Sequence, residues 1–376
     1  MTGKMTQMIC KNTWKRSLAV GLLILLTTSV SGCVIEGDYK YKGNETTTEV
    51  IDLAGVDTIE MKLGSTDIEI ISPGGSAGAG KAGSESSNGT FVIKKTYKTN
   101  EKDLGPELLE EAEITFEREG STLTIGRKGI KRTGMDMFTK GYVTIDITAT
   151  LAADLTLIIN TGSGDIEIDD RVAPVTVRTG SGDVLAEMLS GGFEASTGSG
   201  DVNLKGASGR LEFTAGSGDL VAGEVKGNVR ASVGSGDVEI DEVMGDVNFS
   251  SGSGDLEIGS SRGGLEAGSG SGDLDIHDHV GDADLTTSSG DVMLHASASQ
   301  GEIEVSSSSG DVELHVYDTD SVELDLRTST GSMTSNIPLV VKDATRKRLF
   351  GRSGEGALKI TVSTSSGDIQ IVKGSI

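Results

Sequence analysis

Eight aspartates occupy every eighteenth position through the middle of the chain, and each follows a glycine. They are Asp165, Asp183, Asp201, Asp219, Asp237, Asp255, Asp273 and Asp291. Most of them complete the tetrapeptide Gly-Ser-Gly-Asp. A fixed period of this length with glycine punctuation is typical of a β-solenoid, in which each coil of chain stacks on the one before it. The sequence therefore predicts an all-β fold, a single-stranded β-helix with 18-residue coils.

Apolar and polar residues alternate at two places in every repeat. Counting from each repeated aspartate, the first and third positions are apolar, as at Ile166 and Ile168. The tenth and twelfth positions are apolar too, as at Val175 and Val177. A period of two is typical of a strand with one buried face. Each coil is therefore predicted to contain two short strands that send four side chains into a thin core.

One of these inward columns alternates in size from coil to coil. Its members are Val177, Ala195, Phe213, Ala231, Phe249, Ala267 and Leu285. Stacked strands lie about 4.8 Å apart, so a phenylalanine ring needs small neighbours above and below it. The column predicts that volume is conserved between successive coils.

The repeat loosens after Asp291. Asp311 lies two positions later than the period predicts, and the next copy, Thr330-Gly331-Ser332-Met333, places Met333 where an aspartate is expected. A last copy ends at Asp368. Because the exposed ends of a solenoid need caps, we expect the final part of the chain to close the stack.

Composition divides the chain beyond its first 33 residues into four parts. Residues 34–48 are polar and are expected to form a tether. Residues 49–160 form an irregular N-terminal β region, in which the Gly/Ser/Ala-rich loop 73–89 is expected to be mobile. Residues 161–336 form the solenoid, and residues 337–376 form the C-terminal cap.

The first 33 residues read as a lipoprotein signal peptide. The basic segment Lys11–Arg16 precedes the apolar run Leu18–Leu26, and Val30-Ser31-Gly32-Cys33 follows. These last four residues resemble the lipobox of bacterial lipoproteins, in which the cysteine is lipidated and becomes the first residue. The resemblance implies lipidation at Cys33 and an extracytoplasmic protein held at the cell membrane by its lipid anchor.

The negative charge of the chain is concentrated in the solenoid. The whole sequence has a net charge of -24, and residues 161–326 hold 33 acidic and 7 basic side chains. Such a surface repels nucleic acid, so we expect no nucleic-acid partner. It keeps flat sheet faces soluble, and it also attracts cations.

The aspartate column has two interpretations. Each carboxylate could accept hydrogen bonds from its own Gly-Ser-Gly turn, a structural role that offsets the repulsion between stacked charges. Alternatively, the column could bind Ca²⁺ or other cations through Asp165, Asp183, Asp201, Asp219, Asp237, Asp255, Asp273, Asp291 and Asp311. Calcium-binding nonapeptide repeats read Gly-Gly-x-Gly-x-Asp, and this chain departs from that pattern. We therefore predict no cofactor, with Ca²⁺ as the alternative.

The four histidines are clustered within three coils. They are His277, His279, His295 and His315. Three of them fall four residues after a repeat aspartate, so they should stack on one outer face with His279 beside them. That arrangement could bind a transition metal such as Zn²⁺. The competing interpretation is a set of solvated imidazoles in an acidic field, which is the one we favour.

The repeats Thr179-Gly180-Ser181-Gly182-Asp183-Val184 and Thr197-Gly198-Ser199-Gly200-Asp201-Val202 resemble those of a bacterial putative-adhesin family. Its members are envelope β-solenoids of poorly defined function. The resemblance covers about residues 46–376. It implies a right-handed solenoid displayed at the cell envelope, and it supplies no catalytic residues.

The favoured function is a non-enzymatic scaffold for adhesion, interaction or envelope-stress sensing, with an unidentified envelope protein or glycan as partner. One alternative is a cation- or metal-binding surface module that uses the aspartate or histidine column. A second alternative is a cell-surface polysaccharide-processing enzyme. The enzyme is disfavoured because the serines lie in turns without a nucleophile elbow, and because the carboxylates lie on a convex face with no cleft.

Overall fold

The computed structural model describes residues 27–31, 39–73, 88–128, 141–297, 299–317 and 320–374. Within these ranges the protein contains 32 strands and one helix, and the strands form two sheets of 16 strands each. The predicted all-β solenoid is confirmed.

The elements follow the chain in three groups. The N-terminal group is β1 (Thr27–Ser31), β2 (Tyr41–Asp52), β3 (Thr58–Lys62), β4 (Thr66–Ile71), β5 (Asn88–Thr99), α1 (Leu104–Glu111), β6 (Ile114–Glu119), β7 (Thr122–Arg127) and β8 (Gly141–Thr150). The coil strands are β9 (Thr156–Thr161), β10 (Ile166–Arg171), β11 (Val175–Thr179), β12 (Val184–Leu189), β13 (Phe193–Thr197), β14 (Val202–Ser208), β15 (Leu211–Ala215), β16 (Leu220–Lys226), β17 (Val229–Val233), β18 (Val238–Met244), β19 (Val247–Ser251), β20 (Leu256–Arg262), β21 (Leu265–Ser269), β22 (Leu274–Val280), β23 (Ala283–Thr287), β24 (Val292–Ala296), β25 (Gly301–Ser307) and β26 (Val312–Val316). The C-terminal group is β27 (Val322–Thr328), β28 (Met333–Ser335), β29 (Val340–Ala344), β30 (Arg348–Arg352), β31 (Leu358–Thr364) and β32 (Ile369–Lys373).

The two strands of each coil belong to different sheets. The strand that follows each repeat aspartate lies in the aspartate sheet, whose order is β1-β2-β5-β8-β4-β10-β12-β14-β16-β18-β20-β22-β24-β26-β32-β28. The other strand lies in the opposite sheet, whose order is β29-β30-β27-β31-β25-β23-β21-β19-β17-β15-β13-β11-β9-β3-β7-β6. Neighbouring coil strands pair in parallel, and Ile166 lies beside Val184, the equivalent residue of the next coil.

The size-alternating column has the packing that the sequence predicts. Phe213 lies between Ala195 and Ala231 in the parallel ladder, and all three side chains are buried. Phe249 lies in the same way between Ala231 and Ala267. Each ring therefore has alanine above and below it, which fills the narrow core without overlap.

The structure buries more positions per coil than the four predicted. In the coils from Asp165 to Asp273, the sixth position after the aspartate also points inward, as at Leu189 and Val225. The fourth and fifth positions lie outside between them, so the alternation loses phase there. In the coils of Asp165 and Asp183 the fifth residue, Asp170 or Met188, has a φ of 50° or 53°. The bend in the strand explains why a strict period of two missed this column.

At the N-terminal end, the order of coils in space differs from their order in sequence. Strands β3 and β4 form a coil that lies between β7 and β8 on one side and β9 and β10 on the other. Coils therefore begin near residue 58, inside the region predicted as irregular and well before residue 161. Residues 41–48, predicted as tether, belong to β2, which pairs along its length with β5.

The C-terminal end shows the same rearrangement. Strands β31 and β32 insert between the coil of β25 and β26 and the outermost coil of β27 and β28. The predicted cap thus contributes a full coil, and only its hairpin of β29 and β30 extends the stack. Met333 pairs with Ile369, so Ser332, and not Met333 as predicted, occupies the aspartate position.

Two predicted segments lie mostly outside the described residues. The signal peptide, with Cys33, is described only at Thr27–Ser31, whose backbone pairs antiparallel with Asn44–Thr48 of β2. The loop 73–89 is described only at its ends. Both assignments stay predictions.

Candidate functional site

The Gly-Ser-Gly-Asp corner is held by a buried hydroxyl and by close backbone contact. The Thr179 hydroxyl accepts a hydrogen bond of 3.0 Å from the Gly182 amide, and Thr197 binds Gly200 in the same way at 2.7 Å. A Cβ on Gly182 would lie 1.9 Å from the carbonyl oxygen of Gly164 in the previous coil. The second glycine of the tetrapeptide is therefore required by the stacking of one backbone on another.

The aspartates form a continuous ladder of side-chain-to-backbone hydrogen bonds. The amide of Asp183 donates to Oδ1 of Asp165, the amide of Asp201 donates to Oδ1 of Asp183, and the pattern repeats in every coil. These N···O distances lie between 2.7 and 3.1 Å. The predicted donor was the turn of the same coil, whereas the actual donor is the next coil. Each carboxylate thus ties two coils together.

The ladder is longer than the predicted set of nine aspartates. Below Asp165, Asp67 accepts from the Asp165 amide at 3.1 Å. Above Asp311, Asp368 donates its amide to Asp311 at 2.7 Å and accepts from the Ser332 amide at 2.7 Å. This hydrogen bond from the Ser332 backbone lowers the pKa of Asp368 below its usual range. The sequence Asp67-Ile68-Glu69-Ile70, so close to Asp165-Ile166-Glu167-Ile168, was the signal for the missed first rung.

The ladder leaves one carboxylate oxygen of each rung toward solvent. Every aspartate from Asp67 to Asp368 in the column is exposed, and Oδ1 is the atom bonded to the next coil. In the part of the chain that the structure describes, no three His, Cys, Asp or Glu side chains are grouped so that they could hold a metal ion. The column makes hydrogen bonds along the rod, and Ca²⁺ binding stays the alternative to the prediction of no cofactor.

Two open grooves follow the corners of the rod. The first runs along the ladder, where Asp67, Asp165 and Asp219 line it together with the apolar side chains Leu185 and Val221. The second follows the opposite corner, where Asn228 and Asp246 accept from the amides of Asp246 and Gly264. Gly264 interrupts this series, and beyond it Asp282 accepts from the amide of Glu302. Both grooves run across several coils, the first from Asp67 to Val221 and the second from Arg210 to Glu304.

Three histidines stack on the outer face of the aspartate sheet, as predicted from their spacing. The ring centroids of His277 and His295 are 5.8 Å apart, and those of His295 and His315 are 4.4 Å apart. Burial, and then the neighbouring His315 and His277, lower the pKa of His295. The ring of His315 lies 2.7 Å from a carboxylate oxygen of Glu313. This column favours neutral imidazole at its centre.

His279 does not join that column. It is fully buried, with Nδ1 2.9 Å from the Ser261 hydroxyl and Nε2 3.2 Å from the carbonyl oxygen of Asp282. Burial lowers its pKa. The prediction that His279 lies on the outer face is wrong. The strand bends before this residue, so the sixth position after Asp273 points inward. Since both ring nitrogens are occupied inside the core, His279 has a structural role.

Buried charges near the N-terminal end were not predicted from the sequence. Arg171 lies in the same inward column as His279 and donates to the carbonyl oxygens of Leu151 at 3.2 Å and Leu155 at 2.8 Å. Its burial lowers the pKa of the guanidinium to about 10. The backbone carbonyls that it binds belong to the bend between β8 and β9, so Arg171 fixes the chain where it enters the regular coils.

A second set of charges lies between the long N-terminal strands and α1. Burial raises the pKa of Glu49 on β2 to about 7, against the opposing charge of Lys95. Burial also lowers the pKa of Lys95 on β5, whose ammonium points to the carbonyl oxygen of Leu109 at 3.5 Å. Glu49 Oε2 has no hydrogen-bond partner among the described residues. These polar strands cover the end of the stack without extending its apolar core.

Comparison with known protein families shows which family the chain belongs to. Residues 56–372 match the sequence profile of the Toastrack family, DUF4097, which spans the coils from β3 to β32. The chain belongs to the Toastrack family. The match begins at the intercalated first coil and ends within the intercalated last one, so this Toastrack domain includes both rearranged ends.

Several solved structures are similar to this Toastrack protein. A putative lipid binding protein from Parabacteroides distasonis is 18% identical, covers 87% of this chain and 97% of its own, and has a TM-score of 0.32. A putative adhesin from Bacteroides fragilis is 13% identical, with coverages of 87% and 96% and a TM-score of 0.27. A putative cell adhesion protein from Clostridium sporogenes is 11% identical, with coverages of 88% and 100% and a TM-score of 0.17.

A search of the curated proteins found no match to the chain. Among the described residues, no helix combines the length and the apolar character needed to cross a membrane.

Proposed function

We propose that this Toastrack protein is a lipid-anchored scaffold of the cell envelope that binds an extended protein or glycan without chemical turnover. Adhesion and envelope-stress sensing are the two processes that such a scaffold serves. The proposal includes an extracytoplasmic location, with lipid attached at Cys33.

The observation that carries the proposal is the pair of grooves along the rod. The first groove offers a ladder aspartate in every coil and adds apolar contact through Leu185 and Val221, and the second offers varied polar groups along successive coils. Contacts that are weak individually add along such a surface when one partner spans several coils. A partner with its own repeat, such as a glycan or an extended peptide, can use this geometry.

The aspartate ladder supports the same use because it holds the groove rigid. Its Oδ1 atoms are fixed by backbone amides, so the free oxygens are presented at a constant spacing of about 4.8 Å. A rigid surface loses little conformational freedom on binding, and this favours repeated weak contacts. The carboxylates serve as fixed hydrogen-bond acceptors in this proposal.

The predicted anchor places the rod close to the membrane. Cys33 precedes the first residue of β2, Tyr41, by eight residues, and a chain of that length spans at most about 28 Å. The lipid would therefore hold the N-terminal end of the stack near the bilayer, and the C-terminal end would project outward.

Two variants of the full-length protein test the proposal. Cys33→Ala is expected to abolish incorporation of labelled fatty acid into the protein. Deletion of residues 214–249 removes two coils from the second groove and the last coil of the first, and it preserves the alternation at Phe213. It is expected to weaken binding to isolated cell envelopes at least tenfold. If the two-coil deletion binds envelopes as the parent does, the contact surface lies elsewhere and the scaffold proposal fails.

A further inference from the structure

The C-terminal hairpin of β29 and β30 has the opposite charge to the rod that carries it. Residues 337–352 contain five basic side chains and one acidic side chain, whereas residues 161–326 contain 33 acidic and 7 basic ones. The hairpin forms the outer end of the opposite sheet, and β29 is its last strand. The acidic rod therefore ends in a small basic tip, defined here as residues 337–352.

Part of the positive charge of this tip is engaged in the fold. Arg348 donates to both carboxylate oxygens of Asp325 at 2.9 Å, which attaches the hairpin to β27. Lys342, Arg346 and Lys347 are exposed, and none of them makes an ion pair with another described residue. Three cations are thus left for an external partner.

The tip also exposes apolar side chains. Val340 is 74% exposed, more than any other large apolar side chain of the described residues, and Val341 is 52% exposed. Beside them, the Lys342 ammonium lies 5.3 Å and the Arg348 guanidinium 5.1 Å from the centroid of the Phe350 ring. The surface therefore combines cations with aliphatic and aromatic groups.

Protection of a sheet edge explains only part of this composition. A lysine and a β-bulge on an edge strand prevent pairing with other chains, and β29 has both, with the bulge between Val341 and Asp343. Two exposed valines have the reverse effect, because they make an edge more prone to aggregate. They are explained if the tip binds a partner that is both anionic and apolar.

We propose that the tip binds the surface of an anionic lipid bilayer, with Lys342, Arg346 and Lys347 at the headgroups and Val340 and Val341 in the interface. An anionic bilayer supplies both kinds of contact, whereas a soluble polyanion offers no apolar layer for the valines. The acidic coils of the rod would repel an anionic bilayer, but each successive coil lies about 4.8 Å further from it. Beyond the first two coils the repulsion is screened, because the Debye length is about 8 Å.

This inference rests on the proposed function, since a rod anchored by lipid at one end and binding lipid at the other would join two membrane surfaces. Binding at the tip is weak in isolation, because each cation near an anionic surface contributes only about fivefold to partitioning. Many anchored copies acting together provide the strength.

The test uses full-length protein purified from membranes and incorporated into donor vesicles of pure phosphatidylcholine. Fluorescent acceptor vesicles contain either one part phosphatidylglycerol to two parts phosphatidylcholine or phosphatidylcholine alone, and capture of acceptors by immobilised donors is measured. We expect capture of the anionic acceptors only, with loss in 0.5 M salt. Retention of protein on the donors reports the anchor separately, so a failed anchor is distinguished from a failed tip.

Matched charge reversals locate the contact. Lys342→Glu, Arg346→Glu and Lys347→Glu together are expected to reduce capture at least about 100-fold, since three cations contribute about fivefold each. The control reverses Lys226, Arg230 and Arg262 on the rod, which changes the net charge equally, and it should retain capture. Val340→Ser with Val341→Ser should lower capture without changing the thermal midpoint.

Four results would overturn the proposal: equal capture of neutral acceptors, equal loss in the rod control, no effect of the tip reversals, or full capture by the valine variant. Binding of inorganic polyphosphate by the tip without vesicle capture would identify a soluble polyanion as the partner and would also overturn it.

Discussion

The middle of the solenoid and its two ends use the same coil but join it to its neighbours differently. In the middle, each rung of the ladder links residues 18 positions apart, as between Asp183 and Asp201. At the ends, the rungs link residues 98 positions apart at Asp67 and 57 positions apart at Asp368. A periodic sequence is thus enough to stack coils, whereas each end of the rod is closed by chain that is distant in sequence.

The two ends also differ from each other in the solvent exposure of their charged side chains. The N-terminal end is covered by long antiparallel strands and α1, with Glu49 and Lys95 partly buried between them. The C-terminal end is covered by a short hairpin with exposed cations, fixed through Arg348 and Asp325. One end carries its charges inside and the other outside, so pH and salt should act on them differently.

The largest effect is expected from removing the last coil in sequence. A chain that stops at Gly356 lacks β31 and β32, which lie between two other coils, so β27 to β30 lose their only neighbour in the stack among the described strands. We expect β27 to β30 to unfold and to become sensitive to protease, measured by limited proteolysis with mass spectrometry. Protection of residues 322–352 in the truncated chain would contradict the intercalated order.

Internal deletions should destabilise the protein less than this truncation, and the loss of stability should depend on the number of coils that are deleted. Deleting residues 214–231 places Phe213 directly beside Phe249, and this overpacking should destabilise the protein by about 1–3 kcal/mol. Deleting residues 214–249 removes twice as much chain but places Phe213 beside Ala267. We expect the larger deletion to be the more stable one in urea unfolding. The reverse order would show that the size alternation does not control the packing.

Acid should stabilise the N-terminal end. The pKa of Glu49 is raised to about 7, so its contribution is fully present below the ordinary value near 4.5 and is lost as pH rises through 7. Because the side chain is only half-buried, we expect the free energy of unfolding of this end to fall by about 1–2 kcal/mol between pH 5 and pH 8. Hydrogen exchange in β2 and β5 measures it. Glu49→Gln should remove the dependence, whereas Glu239→Gln on the rod should not.

Acid should destabilise the coils with the histidine column, by a smaller amount. The pKa of His295 is lowered, so the stability tied to its neutral form is present above 6.5 and is lost as pH falls through the folded value. Exchange in β24 and β26 at pH 5 and pH 7.5 measures this loss. His295→Gln should reduce it, and an unchanged pH dependence in that variant would show that the column is not its source.

Calcium is expected to have no effect on the melting temperature. Oδ1 of each ladder aspartate already accepts a backbone amide, so the ladder is stable without a cation. Thermal melts in 5 mM Ca²⁺ and in chelator should coincide within about 1 °C. A rise in the midpoint with Ca²⁺, lost in Asp219→Asn, would support the cation-binding alternative instead.

The stacking of the regular coils and four of their inward columns could be predicted from the sequence, because local alternation and an 18-residue period specify them. Phe213 and its alanine neighbours are a case in which spacing alone gave the packing. The ends could not be predicted in this way. Nothing in the local pattern of Thr66–Ile71 or Ile369–Lys373 states which coil lies beside it, since any coil offers the same edge to pair with.

The candidate site was predicted in composition but not in geometry. The spacing identified nine of the ladder aspartates and the stacking of His277, His295 and His315. It did not identify Asp67, and the donor to each carboxylate belongs to the next coil. The bend that turns His279 inward depends on backbone conformation at the strand corner, and apolar periodicity does not report it. Arg171 was missed because an arginine in a mostly apolar column is visible only once its carbonyl partners are placed.

The position of β31 and β32 has a consequence for synthesis of the protein. A ribosome releases the outermost strands before it makes the coil that fits beneath them, so no truncated product can complete the distal end. Only a finished polypeptide can assemble that end, and a protease would meet the outermost strands of an unfinished one as unpaired chain. The order of strands in space thus makes the last coil in the sequence a condition for folding of the distal end.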